Sequence, residues 1–138
     1  MPSSKNWIAL SFVFAALVCQ EEAAAQSYID VPVMVGGSSD YDACWGYGQV
    51  IGLDPNGDGF LSVRSGPGGR QFSEISRVFN GQVVAICDES GPWLAVVYEP
   101  GHDLTQCGVS TSWPIRQPYT GPCRYGWVHS RYVHIIAG

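Results

Sequence analysis

Short apolar runs alternate with turns rich in glycine and proline along most of this chain. A run with apolar residues at every second position predicts a β-strand, because successive strand side chains point to opposite faces. We predict strands at residues 46–53, 60–64, 82–87, 93–98, 125–129 and 133–136. Residues 70–79 carry apolar side chains at spacings of three and four, which predicts a single irregular turn. The pattern indicates an all-β domain of short strands joined by tight turns.

Two segments lack this strand pattern. Residues 26–43 contain a Gly-Gly-Ser-Ser stretch, which predicts an N-terminal arm or linker with an edge strand at 28–35. Residues 99–122 show no strand alternation, and loops of that length tend to be functional. We therefore predict one domain at residues 44–138, in which residues 99–122 are an insertion that forms a long loop.

The N-terminal segment has the features of a signal peptide. Lys5 precedes an apolar stretch at residues 7–18, which is too short to span a bilayer. Small residues at Ala23 and Ala25 match the site that signal peptidases cleave. We predict that residues 1–25 are removed by cleavage after Ala25. The remaining chain is then periplasmic or secreted, and it has no transmembrane segment.

The cysteines agree with export. Residues 26–138 contain four cysteines, and disulfides persist outside the cytoplasm. Four cysteines permit three pairings. We favour Cys107 with Cys123, because these two bracket one loop, which leaves Cys44 with Cys87. No Cys-x-x-Cys pair and no histidine at ligand spacing supports zinc, so we predict no metal site and no cofactor.

One turn resembles the start of a calcium loop. Asp54, Asn56, Asp58 and Gly59 match the oxygen ligands and turn glycine that open an EF-hand loop. The twelfth position is Ser65 rather than the bidentate glutamate, and strand patterns replace the flanking helices. We interpret the segment as a turn between two strands, with weak calcium binding at the surface as the alternative.

Composition excludes several classes of function. The formal net charge is −5, which argues against a nucleic-acid partner that is bound by phosphate neutralisation. The only lysine is Lys5, so a chain cleaved after Ala25 has no side-chain amine for Schiff-base or P-loop chemistry. The 17 glycines and nine prolines argue against a helical bundle.

Several segments, taken in order, resemble the bacterial SH3 (SH3b) family. They are FLSVRSGPG at 60–68, NGQVV at 80–84, Trp93 with Val96, GWV at 126–128 and YV at 132–133. The resemblance covers residues 46–136. It implies a small SH3-like barrel of five to six short antiparallel strands. The chain departs from the family between residues 98 and 125, where a long loop bracketed by Cys107 and Cys123 replaces a tight distal hairpin.

Strand alternation also predicts the core of such a barrel. Apolar residues that recur on one side of the predicted strands are Val84, Ile86, Val96, Val128 and Ile135. We expect Trp93 and Trp127 to cover the two ends of the barrel, and two disulfides to compensate for its small core.

No constellation of residues supports catalysis, and we predict that the protein is not an enzyme. Disulfide-bonded cysteines provide no thiolate nucleophile, and Ser65 lacks the Gly-x-Ser-x-Gly elbow. Asp88 and Glu89 are adjacent, so on a strand they point to opposite faces rather than flanking one bond. His129 is interpreted as a solvent-facing strand residue. A small cell-wall hydrolase is the least favoured alternative.

The resemblance implies a binding module. SH3-like barrels resemble one another in binding through the surface between the first long loop and the loop after the second strand, here residues 64–72 and 88–93. Candidate ligand-binding residues are Tyr47, Arg64, Arg70, Trp93, Tyr98, Trp113, Tyr119 and Tyr132. We predict non-catalytic recognition of a cell-envelope ligand, either a peptidoglycan peptide or an extended segment of an envelope protein. The alternative is a secreted interaction or inhibitor protein that binds its partner through residues 99–123.

Overall fold

The computed structural model describes residues 28–138, together with Ser11, Val13 and Ala15. Apart from those three positions, the predicted signal peptide lies outside the described residues, so its cleavage stays a prediction. Among the described residues, no helix combines the length and the apolar character that crossing a membrane requires.

Nine β-strands and two short 3₁₀ helices form the regular structure of the described residues. The strands are β1 (Met34–Val35), β2 (Gly46–Val50), β3 (Leu61–Arg64), β4 (Glu74–Val78), β5 (Val83–Ser90), β6 (Trp93–Tyr98), β7 (Gln117–Pro118), β8 (Arg124–His129) and β9 (Val133–Ala137). The 3₁₀ helices are Thr105–Cys107 and Ser130–Tyr132. The predicted all-β class is confirmed, and each predicted strand from residue 46 onward overlaps an observed one.

All strand pairs are antiparallel. A seven-stranded sheet has the order β4-β3-β8-β6-β5-β2-β9, and β1 pairs with β7 in a separate two-stranded sheet. The β5–β6 hairpin turns at Gly91, which has a φ of 56° that favours glycine. Gly126 is required where β8 passes β3, because a Cβ at this position would lie 2.5 Å from Val63 Cγ1.

The irregular turn predicted for residues 70–79 is wrong, because Glu74–Val78 is a strand that pairs with β3. The register shifts between Val63 and Arg64, so the β3–β4 pair contains a bulge. A bulge adds one residue to a strand and so interrupts the alternation of apolar and polar residues. The apolar residues that remain are three and four positions apart, which resembles the spacing in a helix. Phe79, which contributed to that spacing, is an exposed side chain.

The seven-stranded sheet buries side chains on both faces. We call the first group the inner cluster: Val50, Leu53, Leu61, Val63, Val78, Val84, Ile86, Leu94, Val96, Tyr98 and Val128. The second group, the outer cluster, is Val33, Val35, Ala43, Cys44, Ala85, Cys87, Ala95, Val97, Leu104, Cys107, Val109, Tyr119, Cys123 and Trp127. Consecutive residues of β5 and β6 alternate between the two clusters, as the pleat of a strand requires.

The predicted core is confirmed in four of its five positions. Val84, Ile86, Val96 and Val128 are fully buried in the inner cluster. Ile135 is wrong: it is 50% exposed, because β9 is the edge strand of the sheet.

The two tryptophans, expected to cover the two ends of the barrel, pack with the outer cluster. Trp127 is buried within this cluster, and the half-buried Trp93 packs against it. Each tryptophan directly precedes an inward-facing residue on its strand, so its side chain points to the other face of the sheet.

The outer cluster is covered by the two segments that lacked a strand pattern. The N-terminal arm contributes Val33 and Val35, and residues 99–123 contribute five of its buried side chains. The Trp127 indole N–H donates to the Val31 carbonyl at 2.9 Å, and the Tyr119 N–H donates to the Val33 carbonyl at 2.8 Å. Within the described residues, only Met34–Val35 of the predicted edge strand is a strand, and the arm is anchored to the outer cluster through Val33, Val35 and Ala43.

Both favoured disulfides are present. Cys44 pairs with Cys87, and Cys107 pairs with Cys123. All four sulfurs belong to residues of the outer cluster. The first disulfide ties the end of the arm to β5, and the second closes the long loop, so the cross-links hold the covering layer in place.

Acid is expected to loosen the arm at Asp30. Ser65 and Tyr28 donate hydrogen bonds to the Asp30 carboxylate, which lowers its pKa below the ordinary 3.8. Because the pKa is lowered in the folded protein, the ionised Asp30 and its hydrogen bonds stabilise the fold fully above the ordinary pKa. This stabilisation is lost as the pH falls through the lowered pKa. The NMR signal of the Trp127 indole N–H is expected to shift in acid in the wild type and to stay flat in Asp30→Asn. The same acid shift in both proteins would contradict this role.

Candidate functional site

An open cleft of about 380 Å³ lies at one end of the seven-stranded sheet. It is lined by the β2–β3 loop, by β3, by the first residue of β6, and by the segment that joins β8 to β9. The lining residues are Gly52, Leu53, Asp54, Asp58, Gly59, Phe60, Leu61, Ser62, Arg64, Trp93, His129 and Tyr132. Side chains from four separate parts of the chain therefore converge on one surface.

Aromatic rings form much of this cleft. Trp93 and His129 pair across β6 and β8, and their rings meet edge to face with centroids 5.1 Å apart. Tyr132 follows in the 3₁₀ helix, and Phe60 lies on the side of the β2–β3 loop. Strand pairing fixes two of these rings and a short helix fixes a third, so the apolar surface is preformed.

His129 has a defined tautomer when neutral. Its Nδ1 accepts the Arg131 backbone N–H at 3.1 Å and thereby caps the 3₁₀ helix. The proton of the neutral ring therefore resides on Nε2, which is a hydrogen-bond donor. The ring holds the segment that carries Tyr132 and offers an N–H group at the cleft.

The β2–β3 loop is held in one conformation by backbone contacts. The Asp54 carboxylate accepts the Asn56 N–H at 2.8 Å, which closes a local turn. The Asn80 side chain accepts the Leu53 N–H at 3.0 Å and donates to the Leu53 carbonyl at 2.9 Å. In the described part of the chain, no three His, Cys, Asp or Glu side chains are grouped so that they could hold a metal ion.

The cleft carries both signs of charge. Asp54 and Asp58 line it beside Arg64. The Arg64 Nη1 donates to the Phe72 carbonyl at 3.0 Å, so this arginine also fixes the loop that follows β3. Because a guanidinium has five N–H groups, Arg64 keeps donors for a ligand. Such a lining suits a ligand with both ammonium and carboxylate groups.

Three of the eight predicted binding residues come together in this cleft: Arg64, Trp93 and Tyr132. Tyr98 and Tyr119 are buried, the first in the inner cluster and the second in the outer cluster. An exposed ring is needed for ligand stacking, so neither ring stacks on a ligand in this cleft.

The other three predicted residues lie elsewhere. Trp113 stacks on Tyr119, with ring centroids 6.1 Å apart, and donates to the Gly108 carbonyl. Tyr47 is bonded through its hydroxyl to Ser110 and lines a separate cleft of about 470 Å³. Arg70 is exposed and does not line the cleft.

The functional assignment of the cleft rests on its own chemistry. Comparisons with protein-family models, with curated proteins and with solved structures found no match to this chain. The cleft provides exposed aromatic surface, a fixed loop and opposite charges in an open groove, which suits an extended ligand more than a compact one.

The other lining residues were not predicted from the sequence, among them the charged or aromatic Asp54, Asp58, Phe60 and His129. His129 follows the buried Val128 on β8 and was expected to face solvent. Its pairing with Trp93 depends on the β6–β8 register, which no local pattern specifies. The sequence pattern at Asp54 and Asp58 predicts a turn, with calcium binding as the alternative, and does not point to a peptide cleft.

Proposed function

We propose that this protein is an exported, non-catalytic binding module of SH3-like barrel architecture that recognises an extended peptide of the cell envelope, foremost a peptidoglycan peptide. The convergence of Trp93, His129 and Tyr132 with the β2–β3 loop in one open cleft carries the proposal. Flat rings give a large contact area at a low cost in conformational entropy.

Several features support the barrel. The 3₁₀ helix Ser130–Tyr132 separates β8 from β9, where the family resemblance implies a short turn before the last strand. The first long loop, residues 64–72, joins β3 to β4, and β9 returns to pair with β2. Export is supported by the two disulfides and by the signal-peptide pattern at residues 1–25.

Binding without catalysis is supported by the chemistry of the cleft. The four cysteines of residues 26–138 form disulfides and supply no thiolate. The His129 Nδ1 is engaged by a backbone N–H rather than by a carboxylate that would orient a general base. The mixed charge of the cleft complements a peptidoglycan peptide, which carries amine and carboxylate groups.

The alternative, an interaction protein that binds through residues 99–123, has less support. Leu104, Cys107, Val109, Tyr119 and Cys123 of this loop are buried in the outer cluster. A loop that covers the sheet with its apolar side chains has fewer of them left to contact a partner.

Binding is expected to depend on the cleft aromatics. Trp93→Ala and Tyr132→Ala should each weaken binding of a soluble peptidoglycan stem peptide by about tenfold or more, as hot-spot aromatics do. Isothermal titration calorimetry measures the affinity, and co-sedimentation with purified peptidoglycan tests the polymer.

Trp113→Ala is the matched control, because Trp113 is a half-buried loop tryptophan away from the cleft. Loss of binding in Trp113→Ala with full binding in Trp93→Ala would favour the loop alternative. Release of soluble fragments from peptidoglycan by the wild type would overturn the non-catalytic assignment.

A further inference from the structure

A second cavity, of about 320 Å³, has a basic lining. It is formed by β4, the turn after β4, the end of β6, residues 100–102 and the start of β8. None of its lining residues lines the cleft. We call it the basic cavity. Its lining residues are Arg77, Phe79, Asn80, Gln82, Tyr98, Pro100, His102 and Arg124. None of these eight side chains is acidic.

Two arginines and a histidine line this cavity in a chain that is acidic as a whole. Residues 26–138 contain only six arginines and no lysine, and two of these six arginines line this cavity. The Arg77 Nε binds Glu74 at 2.6 Å, and its guanidinium carbon lies over the Phe60 ring, 3.8 Å from the centroid, so Arg77 lines the cavity with its group already held in place. Glu99 is the acid next to Tyr98 in sequence, but it does not line the cavity.

Tyr98 brings a hydroxyl group that lacks a standard hydrogen bond. The side chain is 1% exposed, and its hydroxyl oxygen is buried without a partner of normal geometry. Burial raises its pKa above the ordinary value, with side-chain hydrogen bonds from Ser76 and Arg124 opposing the rise, so the phenol stays protonated at neutral pH. These two neighbours do not meet normal hydrogen-bond geometry, so the buried hydroxyl is poorly satisfied within the protein.

His102 adds a second oriented donor. It is the one non-glycine residue with a positive φ, at 63°, among the described residues. Its Nδ1 accepts the Val83 N–H at 3.3 Å, so the neutral ring carries its proton on Nε2. An uncommon backbone conformation that places a donor in a cavity points to a ligand.

We propose that the basic cavity binds a small oxyanion, the carboxylate or phosphate group of a ligand. Arg124 and Arg77 supply the charge, and the Tyr98 O–H and the His102 Nε2–H supply neutral donors. Guanidinium groups match the paired oxygens of both anions. The two sites share no lining residue, and they are linked by the contact between Arg77 of the basic cavity and Phe60 of the cleft.

The test is an NMR titration of the folded protein with sodium acetate and, separately, with sodium phosphate, at ionic strength kept constant with sodium chloride. At least one anion is expected to give saturable shifts at the Val83 and His102 amides. The anion that saturates at the lower concentration identifies the group as a carboxylate or a phosphate.

Substitutions test whether the anion binds in the basic cavity. Arg124→Gln is expected to weaken it by about tenfold or more, because a charge-assisted hydrogen bond is lost. Tyr98→Phe removes only the hydroxyl and is expected to weaken binding several-fold in a fully folded protein. Arg116→Gln is the charge-matched control, since Arg116 is exposed, pairs with Asp88 and lies outside the cavity.

Two results would overturn the proposal. The first is the absence of saturable shifts with either anion at the highest concentration. The second is equal affinity in the wild type, Arg124→Gln and Tyr98→Phe, which would place the anion elsewhere. Should Arg124→Gln fail to fold, Arg77→Gln together with Tyr98→Phe provides the same comparison.

Discussion

Replacing Trp127 with alanine is expected to destabilise the protein by about 3 to 5 kcal/mol, the range for removing a buried tryptophan. Trp127 is 2% exposed in the outer cluster, and its indole N–H donates to the Val31 carbonyl. The change therefore removes packing from β8 and releases the arm from the sheet. Chemical denaturation with two probes, circular dichroism and the remaining tryptophan fluorescence, measures the loss.

Trp127→Phe separates the two contributions. The phenyl ring keeps most of the apolar contact and loses the bond to Val31, so a smaller cost of about 1 to 3 kcal/mol is expected. Protease cleavage within residues 28–43 should increase in both variants, because the arm loses an anchor. A cost below about 1 kcal/mol for Trp127→Ala would show that the arm does not depend on this residue.

Removing the Cys44–Cys87 disulfide is expected to cost about 4 kcal/mol, since the bond closes a separation of 43 residues and restrains the unfolded chain. The double variant Cys44→Ala/Cys87→Ala avoids a free thiol. The free energy of unfolding is measured by denaturant titration under conditions that keep the other disulfide oxidised.

The second disulfide is the natural comparison. Cys107–Cys123 closes a separation of 16 residues, so Cys107→Ala/Cys123→Ala is expected to cost about 3 kcal/mol. The longer separation should therefore give the larger loss. The reverse order would indicate that packing of the loop, rather than restraint of the unfolded chain, sets the contribution of these bonds.

The local hydrophobic pattern predicts most of the strands, because recognisable turns mark where the apolar runs begin and end. Strands β5 and β6 are apolar on both faces, and tight turns at Asn80-Gly81 and Gly91-Pro92 delimit them. Because both faces of these strands are apolar, the sequence indicates that both are buried. It does not identify the arm and the long loop as the segments that cover the outer face. Val33 and Val35 lie between Pro32 and Gly36, so the local sequence predicts an arm rather than part of a core.

The candidate site was less predictable than the fold. Its side chains come from segments more than 60 residues apart, as Phe60 and Tyr132 show, and strand register brings them together. Aromatic residues were the correct class, but the sequence does not distinguish the exposed Trp93 edge from the buried Tyr98 or Tyr119. The basic cavity was not anticipated, because Arg77, His102 and Arg124 belong to three separate segments.

The bond between Trp127 and Val31 also bears on the order of folding. These residues are 96 positions apart, so the outer face of the sheet stays uncovered until almost all of the described chain is available. Contacts of such long range slow folding, because loop closure must precede the gain in packing. We expect the β5–β6 hairpin, whose contacts are local, to form early, and the docking of the arm to complete folding as a late, separate kinetic phase.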